Sequence, residues 1–104
     1  MADTITFSGN IIQIVPNAGG LSNFDMATYF PGTVKVKGIA FYSATATDLI
    51  KVRNKIAAGA FITPHLLAEN VMGFDPPEEC VPYILATDCT LTDPANCFIT
   101  FYLA

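Results

Sequence analysis

No stretch of this chain carries a sustained apolar repeat near 3.6 residues. Instead, β-branched and aromatic residues gather in short runs cut by Gly, Pro, Asn and Asp, the signature of strands and turns. The runs read as strands are Thr4–Phe7, Asn10–Val15, Thr33–Tyr42, Leu49–Arg53, Ala60–Thr63, Val81–Ala86 and Cys97–Leu103. That density predicts one all-β domain over residues 1–104, a small antiparallel β-sandwich or jelly roll of seven to eight strands. In Val34-Lys35-Val36-Lys37 the alternation is clean, with the valines inward, and at Gly38 the phase slips so that Ile39 and Phe41 take over the apolar positions. A glycine at such a slip predicts a β-bulge or bend, where the strand could pass between sheets. Ile50 and Val52 alternate with Lys51 and Arg53, giving that strand one wet face. In the last strand Cys97, Ile99, Phe101 and Leu103 share one face, and Phe98, Thr100 and Tyr102 share the other. Both faces are largely apolar, which predicts a central or interfacial strand tied into its sheet.

Between the strands, Pro16–Ser22 reads as a flexible turn through Asn17 and Gly19-Gly20. Asp75-Pro76-Pro77-Glu78-Glu79 reads as a stiff acidic turn, because proline fixes φ and cannot donate to a sheet. Residues 92–96 form a turn before the last strand, and Thr45–Asp48 another, with Thr47 or Asp48 placed to bond backbone amides. Two segments admit a short helix: Ser22–Tyr29, with Ser22 as N-cap, and Pro64–Asn70, with proline at the first position.

The charge content changes the picture more than the apolar content does. Hydrophobic residues make up 52% of 104 residues, but charged ones only 13%, about half the usual share. A chain this small has a large surface for its volume, so much of that surface must be neutral or apolar. Contiguous apolar surface implies a covering partner. The net charge is −4 and only Lys35, Lys37, Lys51, Arg53 and Lys55 are basic, which argues against direct binding of nucleic acid. No apolar run approaches the ~20 residues of a membrane span, and Met1-Ala2-Asp3-Thr4 does not read as a signal peptide.

Candidate chemistry is sparse. Cys80, Cys89 and Cys97 are odd in number and too widely spaced for zinc knuckles; they read as buried thiols rather than as a Cys3His set with His65. His65, the sole histidine, lies beside leucines and reads as a packing or surface residue. Glu78 and Glu79 are adjacent, so an extended chain points them to opposite sides. Asp25, Asp48, Asp75, Asp88 and Asp93 fall in loops without a calcium-loop pattern and read as turn residues. No phosphate-binding glycine motif is present. The expectation is a non-enzyme without cofactor or metal. Phe41-Tyr42 and Phe101-Tyr102 each place one ring on either strand face, the inner for the core and the outer for an interface.

The stretch Pro31–Tyr42, the small-residue loop Ser43–Thr47 and the run Asp48-Leu49-Ile50-Lys51-Val52-Arg53-Asn54 resemble small virion proteins of tailed bacteriophages. Val81–Ala86 and Phe98–Leu103 fit the same layout, which covers about half the chain; residues 64–79 show no likeness. The resemblance implies a β-sandwich or jelly roll and a capsid decoration (cement) role on the virion surface. Its partners would be the major capsid protein and sister copies in a dimer or trimer, assembled in the host cytoplasm. A tail or head–tail component is the first alternative, and a small-ligand or glycan-binding module the second. The segments expected to make contact are Ala2–Phe7, Asn17–Phe24 and Val71–Glu79, with Ile5, Phe7, Leu21, Phe24, Met72 and Phe74 as the interface residues.

Overall fold

The computed structural model describes residues 3–104 apart from positions 18, 46, 57, 68, 69 and 93, and describes only the backbone at 63–67, 70 and 95. Nine strands are described: β1 (Thr4–Ser8), β2 (Ile11–Val15), β3 (Phe24–Asp25), β4 (Val34–Ser43), β5 (Leu49–Asn54), β6 (Phe61–Leu67), β7 (Asn70–Cys80), β8 (Pro82–Ile84) and β9 (Cys97–Leu103). They form a five-stranded sheet in the order β1-β2-β9-β4-β7 and a four-stranded sheet in the order β3-β8-β5-β6.

The pairings explain this order. β2 pairs with β9, β3 with β8, β4 with β7 and β5 with β6, all antiparallel. The chain from β2 to β9 is therefore one long antiparallel ribbon, closed at the β5–β6 end. Successive segments of the ribbon fall alternately into the two sheets. The ribbon then closes on itself where β9 meets β4 and β8 meets β5. Folding such a ribbon into two facing sheets is the winding of a jelly roll. β1 is added to it by a two-residue hairpin: Ser8 faces Ile11 across Gly9-Asn10, and Gly9 takes φ +59° as the first turn residue.

Period-two alternation decides what goes inside. Ile12 and Ile14 of β2, Val36, Ile39 and Phe41 of β4, Ile50 and Val52 of β5, Ile84 of β8, and Cys97, Ile99 and Phe101 of β9 are all buried. Phe24 of β3 stacks on Phe101 of β9 at 5.9 Å and so bridges the two sheets. The phase slip at Gly38 is present: β4 shifts register against both neighbours between Val36 and Gly38. β4 does not cross between sheets there, as expected from sequence, but stays in the five-stranded one. A Cβ at Gly38 would press on the Met72 carbonyl at 3.3 Å, a tight approach that glycine avoids.

Three segments depart from the sequence reading. Pro64–Asn70, expected as a helix, is strand through Leu67 and begins β7 at Asn70. Residues 71–79, expected as a loop, belong to β7. The prolines that argued for a turn are accommodated because four residues, Phe74–Pro77, face the single Lys37 between the paired positions Val36–Glu78 and Gly38–Gly73. β7 is an edge strand, where a missing N–H costs least. Ser22–Tyr29 is β3 followed by a single 3-10 turn, Met26–Thr28, whose cap is Asp25 rather than Ser22: the Ala27 N–H donates to the Asp25 carboxylate. No helix among the described residues is long and apolar enough to cross a membrane.

Candidate protein-interaction surfaces

The outward positions of the five-stranded sheet follow from its register. Gln13, Thr100, Ala40 and Val71 lie in one cross-strand row, and Ile11, Tyr102, Gly38 and Gly73 in the next. Tyr42 lies opposite Phe98, and their rings meet at 5.8 Å. β1 adds Thr4, Thr6 and Ser8 to the same face. Tyr42 is 45% exposed and Phe98 38%, with Ile11 and Val71 also exposed. None of these positions is charged. The charges of this sheet gather at its far corner, where Lys35 pairs with Glu79 and Thr33 donates to Glu79 at 2.9 Å. The result is an outer face that is neutral over these rows, with an aromatic pair upon it and its charges at one end.

A second apolar area flanks β1. Phe7 shares the inward side of β1 and lies opposite buried Ile12, yet is 46% exposed. Its ring meets Tyr29 at 5.2 Å and Phe30 at 6.0 Å, and Tyr29 stacks on Phe24 at 5.8 Å. Asp3 fastens the start of this strand by accepting the Asn17 and Ser22 N–H groups.

The six residues expected at interfaces divide accordingly. Ile5, Phe7, Leu21 and Phe24 belong to this flank and its adjoining core, whereas Met72 and Phe74 lie on β7 at the opposite edge of the sheet. Phe7 is exposed; Ile5, Leu21, Met72 and Phe74 are partly buried against the core. Phe24 is only 3% exposed and is a core residue, because its two-residue strand turns the ring between the sheets. Of the rings assigned by alternation, Phe41 and Phe101 are buried and Tyr42 is outside. Ile11 and Val71 were not singled out, since an isolated apolar residue in an edge or loop segment carries no signal until the register is known.

The polar interior is structural. Asp48 and Ser43 are the buried polar side chains among the described residues. The Asp48 carboxylate accepts the Ser43 hydroxyl at 2.8 Å, the Thr92 N–H at 2.9 Å and the Thr92 hydroxyl at 2.8 Å, and Ser43 Oγ accepts the Thr45 N–H. Burial pushes its pKa up, but the bonds from Thr92 and Ser43 prevail and hold it below the usual carboxylate value. Asp48 thus closes its own turn, through its N–H to the Thr45 carbonyl and its carboxylate to Ser43, and also joins the β4–β5 loop to the segment before β9. On the four-stranded sheet Arg53 grips Asp88 with two nitrogens at 2.7 and 3.3 Å and donates to the Gly59 carbonyl. The hydrogen bond from Arg53 is the main reason the Asp88 carboxyl is held low. The guanidinium lies 4.1 Å from the centre of the Phe61 ring, and Lys51 Nζ 5.7 Å from it.

Little here resembles a catalytic centre. Among the described residues no three His, Cys, Asp or Glu side chains gather as metal ligands would. The aspartates expected in loops serve separately, as cap, buried anchor and ion-pair partner at Asp25, Asp48 and Asp88, while Asp93 and the His65 side chain lie outside the described residues. A cleft of about 220 Å3 is lined by Gly20, Leu21, Ala86, Cys89, Leu91 and Pro94. Burial pushes the Cys89 thiol up to about 11, which keeps it protonated and a poor nucleophile at neutral pH. Cys80 is likewise pushed up by burial to about 11. Comparison with protein-family models, with curated proteins and with solved structures returned no match.

Proposed function

We propose that this protein is a non-enzymatic virion structural protein, a capsid decoration (cement) protein that lies on the coat of a tailed phage. The observation that carries a binding role is the neutral part of the outer face of the five-stranded sheet, with Tyr42 and Phe98 paired and exposed upon it. The charged residues of this sheet, Lys35, Lys37 and Glu79 among them, lie toward one end of β4 and β7 and leave the rows around this aromatic pair neutral. The phage assignment rests on the resemblance of residues 31–54 and on the two-sheet fold that such proteins use.

The mechanism is burial of apolar area against coat protein. At about 25 cal/mol per Å2, a patch of a few hundred Å2 supplies several kcal/mol before association costs. Sister copies on a repeating shell multiply a weak contact by avidity. The test is co-sedimentation of the purified chain with empty shells assembled from the coat protein of the same genome. Saturable binding, lost in the double variant Tyr42→Lys/Phe98→Lys, is the expected result. Binding to tails but not shells would replace the decoration role with a tail role. Binding to a glycan array but to neither particle would replace it with a carbohydrate-binding one.

A further inference from the structure

A two-sheet sandwich has four strand edges, and natural proteins blunt such edges to avoid pairing with other chains. Three of the four are blunted here. β3 is only two residues long, β6 carries Pro64, and β7 carries Pro76 and Pro77 inside a four-residue bulge. β1 differs: Thr4-Ile5-Thr6-Phe7-Ser8 is five residues long, pairs without a register shift along its whole length, and contains no proline, glycine or charge.

The backbone groups on its open side follow from the hairpin. In a two-residue hairpin the residues flanking the turn, Ser8 and Ile11, exchange hydrogen bonds, and such pairs alternate along the ladder. Thr4, Thr6 and Ser8 therefore turn their backbone groups toward β2. Ile5 and Phe7 turn theirs away from the sheet, to an edge with which no other described strand pairs.

We propose that β1 pairs antiparallel with β1 of a second copy of this chain about a two-fold axis at Thr6, joining two five-stranded sheets into one of ten. This register uses all five residues. The free N–H and C=O groups of Ile5 meet those of Phe7 in the second copy, and vice versa, giving four backbone hydrogen bonds. On the outer face Thr4 meets Ser8 and Thr6 meets Thr6. On the inner face Ile5 meets Phe7, so each exposed Phe7 ring gains an apolar neighbour. The nearest charge, Asp3, is already held by Asn17 and Ser22 N–H groups, so two chains of net charge −4 meet here without opposing like charges. The joined sheet doubles the neutral area of the outer face. The pairing stands independently of the capsid reading, which uses that face and not the edge.

The test is sedimentation equilibrium of the full chain over a wide concentration range, with two variants at the axis. Thr6 is exposed on the outer face, so neither substitution touches the core. A concentration-dependent dimer is expected for the wild type, and Thr6→Glu should raise its dissociation constant at least tenfold, because it sets two carboxylates opposite each other. Opposite residues at a non-hydrogen-bonded pair have Cα atoms roughly 4.5 Å apart, within the disulfide range of about 4.4–6.8 Å. Thr6→Cys should therefore give a reducible dimer under mild oxidation, while the wild type, with its three native cysteines, should not. Phe98→Lys, on the sheet face, should leave the dimer intact. A wild type that stays monomeric up to about 1 mM overturns the proposal. So does a dimer that is indifferent to Thr6→Glu and gives no Thr6→Cys cross-link, which would put the interface elsewhere.

Discussion

The two sheets present opposite solutions to an exposed aromatic ring. On the four-stranded sheet Phe61 lies in the open, but Arg53 and Lys51 lie over it and Asp88 holds the arginine in place. On the five-stranded sheet Tyr42 and Phe98 have each other, with Thr100, Val71 and Ala40 in the neighbouring row. A ring covered by cations is finished in the free monomer, since its apolar face is already occupied and its cover is hydrated. A ring surrounded by neutral residues still gains from a partner. Lys51 and Arg53 are thus placed where they cover the ring on one face, and the neutral surroundings of Tyr42 and Phe98 on the other mark the working surface.

The largest expected effect is one that breaks the four-stranded side. The β5–β6 connection folds back so tightly that a Cβ at Gly59 would land on the Asn54 carbonyl, and Gly59 also accepts the Arg53 hydrogen bond. Gly59→Ala must move backbone, at a cost of about 4 kcal/mol in urea unfolding. It should loosen β5–β6 and the Phe61 cover while amide exchange in β2, β9 and β4 stays comparatively slow. Uniform loss of protection would mean that the two sheets unfold as one unit.

Asp48 ties the two sides together, because β4 and β9 lie in one sheet and β5 in the other. Asp48→Ala leaves Ser43 and Thr92 without their acceptor and should cost about 3 kcal/mol. The pH dependence has a definite sign. A folded pKa below the usual carboxylate value means that ionised Asp48 stabilises the fold above that usual value, and that this contribution disappears as pH falls through the folded value. Asp88, lowered by Arg53, acts in the same direction. Thermal melts should be flat near neutrality and fall below about pH 4, with the fall reduced in Asp48→Asn. A wild-type curve that instead declines between pH 6 and 8 would contradict the role given to these carboxylates.

How much of this was legible in the sequence depends on the range of the interaction. Alternation is local, so Val36, Ile50 and Val52 were placed inward, Ile99 and Phe101 were put on one face together, and the slip at Gly38 was seen. The two apolar faces of Cys97–Leu103 called for a central or interfacial strand, and β9 is third of five. β7 was missed because Gly73 and Pro76-Pro77 are loop residues everywhere except at a bulged sheet edge, and edge status belongs to the topology. Asp48 was visible as a turn residue, but its partner Thr92 is 44 positions away. The sheet face draws Ile11, Tyr42, Val71 and Phe98 from four strands, so low charge could announce that such a surface exists without locating it.

A smaller effect sharpens the comparison from the covered side. Arg53→Ala removes the cation over Phe61 and one partner of Asp88, on a site only partly buried. The loss of Tm should be slight, well under that of Asp48→Ala. The informative readout is binding of a hydrophobic dye, which should rise as Phe61 is uncovered and the four-stranded face comes to resemble the five-stranded one. No change in dye binding would mean that the cations do not shield the ring.

The smallest effect on the fold should have the largest effect on binding. Phe98 is exposed, its inward neighbours Cys97 and Ile99 carry the core, and a lysine stem lies well along a neutral strand. Phe98→Lys should therefore shift stability by no more than about 0.5 kcal/mol, since surface substitutions away from caps, strain and buried groups do little. On the working face, however, it replaces half of the aromatic pair with a cation that must be desolvated in any apolar contact. Dye binding should fall and shell binding should fall at least tenfold. Stability unchanged with shell binding lost would separate what holds the sandwich together from what the sandwich is for. A strongly destabilised Phe98→Lys would show instead that the Tyr42–Phe98 pair is part of the fold's own support.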